Sequence, residues 1–270
     1  MGNSFLLLSH HRSGSNFLCN LLCSNENVVC INEPLSMHTS FFYEKDLIPW
    51  TDEEYDDEFL HASLKSYSKL IEYLRELKAY IVEESNGNRA LGFKETLLFE
   101  KLPWFKKFIP EIKIIYLVRD PRAVVNSVMR NDMYKIWNYD TTVRKYLNKY
   151  NLELNVSTPF ELAVWSWKIR DGLFHKYKNL FEYRIVKLED IVNNPEEKAN
   201  ELMSFLNMKL SDSQIEFLSK VYVDDKKGKA FSVFTSKERV LNDWRGKVSN
   251  DEEAYIKRIL HNEMAEYGYL

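Results

Sequence analysis

With 270 residues, 45% hydrophobic and 14% aromatic, the chain is long enough for one large domain around a substantial core. A formal charge of −3 gives no support to a nucleic-acid or other polyanionic partner, and only 8 glycines and 7 prolines argue against a long linker. No stretch approaches the roughly 18 uninterrupted apolar residues of a membrane span. Residues 1–9 are too short and too uncharged for a signal peptide, so a cytoplasmic setting is expected.

Phe5-Leu6-Leu7-Leu8 has the length and composition of a buried strand. A compact turn, His11 to Asn16, and an amphipathic run from Phe17 follow. Strand, glycine-containing turn and helix start together make an anion site: unpartnered N–H groups and the helix dipole both favour negative charge there. Gly14 allows close backbone approach, Ser13, Ser15 and Asn16 add donors, and Arg12 adds a forked cation suited to phosphate or sulfate. The spacing GxxxxGK[ST] is missing, which disfavours magnesium-dependent ATP or GTP hydrolysis.

Val28–Ile31 reads as a second strand, stopped by Pro34 so that Glu33 stands at its carboxyl end, the edge where open α/β sheets bind ligands. Cys19 and Cys23 share a helix face near Cys30. No CxxC pair or histidine partner gives metal-ligand spacing, so buried, reduced thiols are expected. Residues 36–88 turn aromatic, acidic and helix-prone, an insertion suited to lining an acceptor pocket.

Residues 89–93 resemble a third strand, with Lys94-Glu95-Thr96 leaving its end, and Lys113–Val118 is the clearest strand in the chain. It breaks at Arg119-Asp120-Pro121, with Asp120 an N-cap and Pro121 the first helical position. Thr158-Pro159-Phe160-Glu161 is a capping box opening a long helix with an aromatic face. Tyr183–Val186 is a further strand, followed by helices near 195–206 and 211–222 and a last one at about 250–266. Between them, residues 223–247 form a basic, aromatic loop able to fold over a polyanionic ligand.

Together these pieces resemble the sulfotransferases that use 3′-phosphoadenosine-5′-phosphosulfate (PAPS). Arg12 to Asn16 looks like that family's 5′-phosphosulfate loop. Leu117 to Ser127 is similar to its 3′-phosphate motif, with Arg119 and Ser127 eight residues apart. Val186 to Ile191 with Asn194-Pro195 resembles its RYEDL…NP segment, and Trp244-Arg245 with Tyr267-Gly268 looks like the end of the carbohydrate sulfotransferases. Arg12 and Glu33-Pro34 resemble the carbohydrate, tyrosylprotein and trehalose branches. The Lys-Thr-His motif of the steroid and phenol branch has no counterpart in Phe93-Lys94-Glu95-Thr96, and the likeness to the Golgi enzymes is not expected to extend to their membrane anchor.

The resemblance implies a single P-loop-like α/β domain with a parallel sheet of four to five strands flanked by helices. It implies transfer of a sulfuryl group from PAPS to a hydroxyl, or less readily an amine, of a small-molecule or carbohydrate acceptor, without a metal. Arg12 would neutralise charge on the departing phosphate, and Ser13, Gly14, Ser15 and Asn16 would hold the phosphosulfate. Arg119 and Ser127 would take the 3′-phosphate, with Lys237, Arg239 and Arg245 as contacts from the closing loop. Glu33 is the candidate general base, with Glu95 in reserve and His10 or His11 behind it. A metal-dependent small-molecule kinase and a non-catalytic nucleotide-binding protein are the competing readings.

Overall fold

The computed structural model describes residues 3–35, 89–96, 98–130, 156–221 and 236–270, together with Arg75, Glu76 and Ala79. The insertion expected at 36–88 and the first part of the basic loop therefore lie almost wholly outside the described residues.

Five strands form one sheet: β1 (Asn3–Ser9), β2 (Val28–Asn32), β3 (Ala90–Glu95), β4 (Lys113–Val118) and β5 (Tyr183–Lys187). Their order is β2-β3-β1-β4-β5, and every neighbouring pair is parallel. The expected fold class is borne out at its upper strand number. β1, β3 and β4 are buried along their whole length because helices cover both faces, which is why they read as continuous apolar runs.

Alternation along β1 assigns its side chains to two cores. Leu6 and Leu8 face α2 (Leu102–Phe108), α3 (Pro121–Met129) and α4 (Pro159–Tyr177), with α9 (Asn250–Ile259) and α10 (His261–Tyr267) outside them. Phe5 and Leu7 face α1 (Ser15–Cys23), α5 (Leu188–Asn193), α6 (Pro195–Phe205) and α7 (Asp212–Val221). β1 and β3 approach closely at one register position. A Cβ on Gly92 would stand 2.2 Å from the carbonyl oxygen of its partner Phe5, so only glycine fits there.

The helix starts follow their expected chemistry. The Asp120 side chain accepts from the Arg122 N–H with Pro121 in the first turn, and Thr158 and Glu161 close a full capping box. Two expectations are corrected. The last helix is two, α9 and α10, separated at Leu260. Cys19 and Cys30 are buried, but Cys23, at the last turn of α1, is exposed even though its Sγ accepts from the Cys30 N–H of β2 at 3.3 Å.

Candidate active site

The sheet order changes direction at β1, since β3 lies on one side of it and β4 on the other. The crevice outside the carboxyl ends of these strands is where a doubly wound sheet takes ligands. The loop from His10 to Gly14 fills that position. It turns back through a Ser13 N–H to His10 carbonyl bond of 3.3 Å, with left-handed conformations at Arg12 (φ 65°) and Gly14 (φ 88°). Gly14 caps α1 through its backbone alone, so no side chain covers the first N–H groups of the helix, and these stay available to an anion. Ser13 is buried, and its hydroxyl has no hydrogen-bond partner.

Two residues expected on different phosphates meet directly. Arg12 Nε donates to Ser127 Oγ at 2.9 Å, joining the loop to α3. Arg119 braces the same assembly. Its two terminal nitrogens donate to the carbonyls of Arg12, at 2.9 Å, and Val240, at 2.7 Å, while its Nε is buried without a partner. Burial lowers the Arg119 pKa, a cost that an anion beside Nε would offset.

Glu33 lies one residue past β2, in a left-handed conformation (φ 46°). Its Oε1 stands 2.9 Å from Lys94 Nζ and accepts from Thr96 Oγ1 at 3.2 Å, and Lys94 Nζ also donates to Asn16 Oδ1 at 2.7 Å. Of the three non-glycine residues in a left-handed conformation among the described residues, Arg12 and Glu33 lie just beyond the carboxyl ends of β1 and β2, and Asn207 follows the helix Pro195–Phe205. Glu95 is fully buried and accepts from the Leu35 N–H at 2.8 Å, which ties down the chain after Glu33. His10 is buried and His11 half-buried. Burial, with the Arg170 guanidinium nearby, pushes both imidazole pKa values well down.

Lys237 and Arg239 are exposed on α8 (Lys237–Asn242), whose Val240 carbonyl is the one Arg119 holds. Arg245 is exposed as well, lying over the Trp244 ring at 4.8 Å and donating to Asn242 Oδ1 at 2.8 Å. The structure brings together Arg12, Ser13, Gly14, Asn16, Glu33, Arg119 and Ser127, and it leaves these three cations at the rim. Lys94 is the site residue that sequence reasoning passed over. The sequence places Lys94 just beyond a strand at 89–93, whereas β3 runs on through Glu95 and holds Lys94 within the sheet near its carboxyl edge.

A model of the sulfotransferase family matches residues 5–212, most of the chain and every strand of the sheet. The chain belongs to the sulfotransferase family. It is 28% identical to carbohydrate sulfotransferase 1 of Mus musculus over 163 residues, which is 58% of this chain and 39% of that protein. The Danio rerio carbohydrate sulfotransferase 1 is 26% identical over 164 residues. The aligned region thus spans about two fifths of the length of these relatives. Among solved structures, the sulfotransferase domain from the curacin biosynthetic pathway superposes with a TM-score of 0.54 at 14% identity, covering 96% of this chain and 97% of that one. The sulfotransferase domain from the Synechococcus PCC 7002 olefin synthase gives 0.55 at 14% identity, covering 96% and 95%. Mouse sulfotransferase SULT7A1 complexed with PAP gives 0.51 at 15% identity, covering 97% and 83%. These sulfotransferases share the P-loop-like fold described above.

Proposed function

We propose that this chain transfers a sulfuryl group from PAPS to a hydroxyl of a carbohydrate or small-molecule acceptor, releasing 3′-phosphoadenosine 5′-phosphate. The observation that carries the reading is a pair of orphaned polar atoms, Ser13 Oγ and Arg119 Nε, both buried and flanking a helix start that no side chain caps. Buried polar atoms are seldom left unpaired, and a donor with a 5′-phosphosulfate and a separate 3′-phosphate supplies a partner for each. The residues present therefore fit the donor.

In this reading Ser13, Gly14, Ser15 and Asn16 hold the 5′-phosphosulfate through backbone and side-chain donors. Arg12 and Lys94 supply positive charge where it develops on the transferring group and the departing phosphate. Glu33 orients Lys94 through their ion pair. Arg119 and Ser127 face the 3′-phosphate, and Lys237, Arg239 and Arg245 add long-range attraction at the rim. Charge neutralisation by Arg12 and Lys94 is the reason the proposal needs no divalent cation. A cytoplasmic setting accompanies it, with Cys19, Cys23 and Cys30 as free thiols.

Calorimetry with 3′-phosphoadenosine 5′-phosphate, adenosine 5′-phosphate and ATP, with and without magnesium, tests the donor. The expected result is a preference for the first of about tenfold or more, from charge-assisted contacts to the extra phosphate, and no response to metal. Preference for ATP with magnesium would replace this reading with the kinase one. Arg119→Ala is expected to weaken 3′-phosphoadenosine 5′-phosphate binding about tenfold or more and leave adenosine 5′-phosphate unchanged. Equal losses for both nucleotides would reduce Arg119 to the backbone brace it also is.

A further inference from the structure

A pocket lies at the end of β1, between the phosphosulfate loop and helices α3 and α4. Val124, Val128, Ala163 and Trp167 form its apolar wall, with His10, His11, Ser166 and Arg170 as its polar groups. Ser166 Oγ and Trp167 Nε1 are buried there with no partner, the mark of a site shaped for something polar. The His10 ring stacks on Trp167, with centroids 4.8 Å apart and planes 8° from parallel, so its orientation is fixed.

Behind His10 runs a chain of buried hydrogen bonds. His10 Nε2 is 2.8 Å from the Tyr116 hydroxyl, which donates to Asp171 Oδ1 at 2.9 Å. Tyr267 donates to the same oxygen at 2.7 Å, and His175 Nε2 lies 2.9 Å from the Tyr267 hydroxyl. A carboxylate only accepts, so both tyrosine protons point at Asp171. The oxygen of Tyr116 must then accept from His10, which places the imidazole proton on Nε2 and leaves the lone pair on Nδ1. No hydrogen bond engages Nδ1 among the described residues, and the ring lines the pocket. Burial, then Arg170 and His11, keep the ring neutral at pH 7, while Asp171 is pushed up to about 6 by burial and stays mostly ionised there.

We propose that this pocket receives the reacting hydroxyl of the acceptor and that His10 Nδ1 takes its proton, with Tyr116 and Asp171 as positioning residues. The proposal rests on the sulfuryl-transfer reading. As the acceptor oxygen forms its bond to sulfur, the bond from sulfur to the bridging phosphate oxygen breaks. The electron pair leaves with 3′-phosphoadenosine 5′-phosphate, and the hydroxyl proton passes to Nδ1. The resulting imidazolium donates to Tyr116, whose hydroxyl is anchored on the Asp171 carboxylate. This is the arrangement of a base oriented by a third group. Glu33 already holds the Lys94 ammonium and the Thr96 hydroxyl.

The test combines nitrogen-15 NMR of the histidines with transfer of radiolabelled sulfate from PAPS to a panel of mono- and oligosaccharides. Wild-type protein is expected to show His10 as the neutral Nε2–H tautomer at pH 7, and Tyr116→Phe to mix the two tautomers. His10→Gln should lower kcat on the order of 10²-fold and leave 3′-phosphoadenosine 5′-phosphate affinity unchanged. Asp171→Asn, a gentler change in a buried site, should lower kcat in the same direction and shift the His10 signals. An imidazolium or an Nδ1–H tautomer at pH 7 overturns the proposal even where no sugar is sulfated, and the Nε2–H neutral ring supports it. Normal turnover by His10→Gln also overturns it. Failure of the wild-type protein to bind 3′-phosphoadenosine 5′-phosphate would instead sink the sulfotransferase reading.

Discussion

Arg12→Ala is expected to reduce turnover by about 10²- to 10³-fold, the usual cost of losing one preorganised group that stabilises transition-state charge. The geometry suits that role. The Nε of Arg12 is committed to Ser127 Oγ at 2.9 Å, which sets the plane of the guanidinium, and its carbonyl is gripped by Arg119. Its left-handed backbone stores strain that the loop accepts in order to aim the side chain. Removing the side chain touches none of the apolar contacts of either core, so the denaturation midpoint should move little. Arg12→Lys keeps the charge but loses the fork and the bond to Ser127, and it should fall between alanine and wild type. Steady-state kinetics with PAPS and any sulfated acceptor provide the check. A kcat within a few-fold of wild type for Arg12→Ala would remove Arg12 from the mechanism.

The sheet and the loop that follows β1 were legible because their determinants are local. Phe5–Leu8 and Lys113–Val118 are strands buried on both faces, and such strands announce themselves as unbroken apolar runs. Asp120-Pro121 and Thr158-Pro159 carry their caps within three residues. What stayed hidden depends on partners far apart in the chain. Lys94 meets Asn16 across 78 positions, and His10 meets Tyr116 across 106, so neither pairing leaves a periodic trace. The bracing role of Arg119 was invisible for a different reason. It holds the main-chain oxygens of Arg12 and Val240, and every residue type offers a carbonyl. The break between α9 and α10 falls at Leu260, where neither proline nor glycine marks it.

The Lys94–Glu33 pair separates stability from chemistry. Lys94 has 3% of its side chain exposed and Glu33 has 13%, so neither charge is solvated well without the other. Breaking such a pair from one side is costly, about 3 kcal/mol or more, because the survivor is left buried and unpaired. Lys94→Met should therefore lower the denaturant midpoint at unchanged m-value, and Glu33→Gln should do so less, since Gln still accepts from Thr96 and Lys94. Lys94→Met combined with Glu33→Gln should recover much of the stability lost by Lys94→Met alone, a coupling that a double-mutant cycle reads directly. Turnover should not recover with it. If Lys94 stabilises the transferring sulfuryl group, the double variant stays as inactive as Lys94→Met, about 10²-fold below wild type. Glu33→Gln alone discriminates its two possible roles. A carboxylate that merely orients Lys94 loses several-fold in kcat, whereas a general base loses about 10²-fold or more with nucleotide affinity intact. The second outcome would return the proton to Glu33 and take it from His10. Strict additivity of the two stability losses would mean that the 2.9 Å contact contributes no coupling, and that Asn16 and Thr96 hold the two side chains independently.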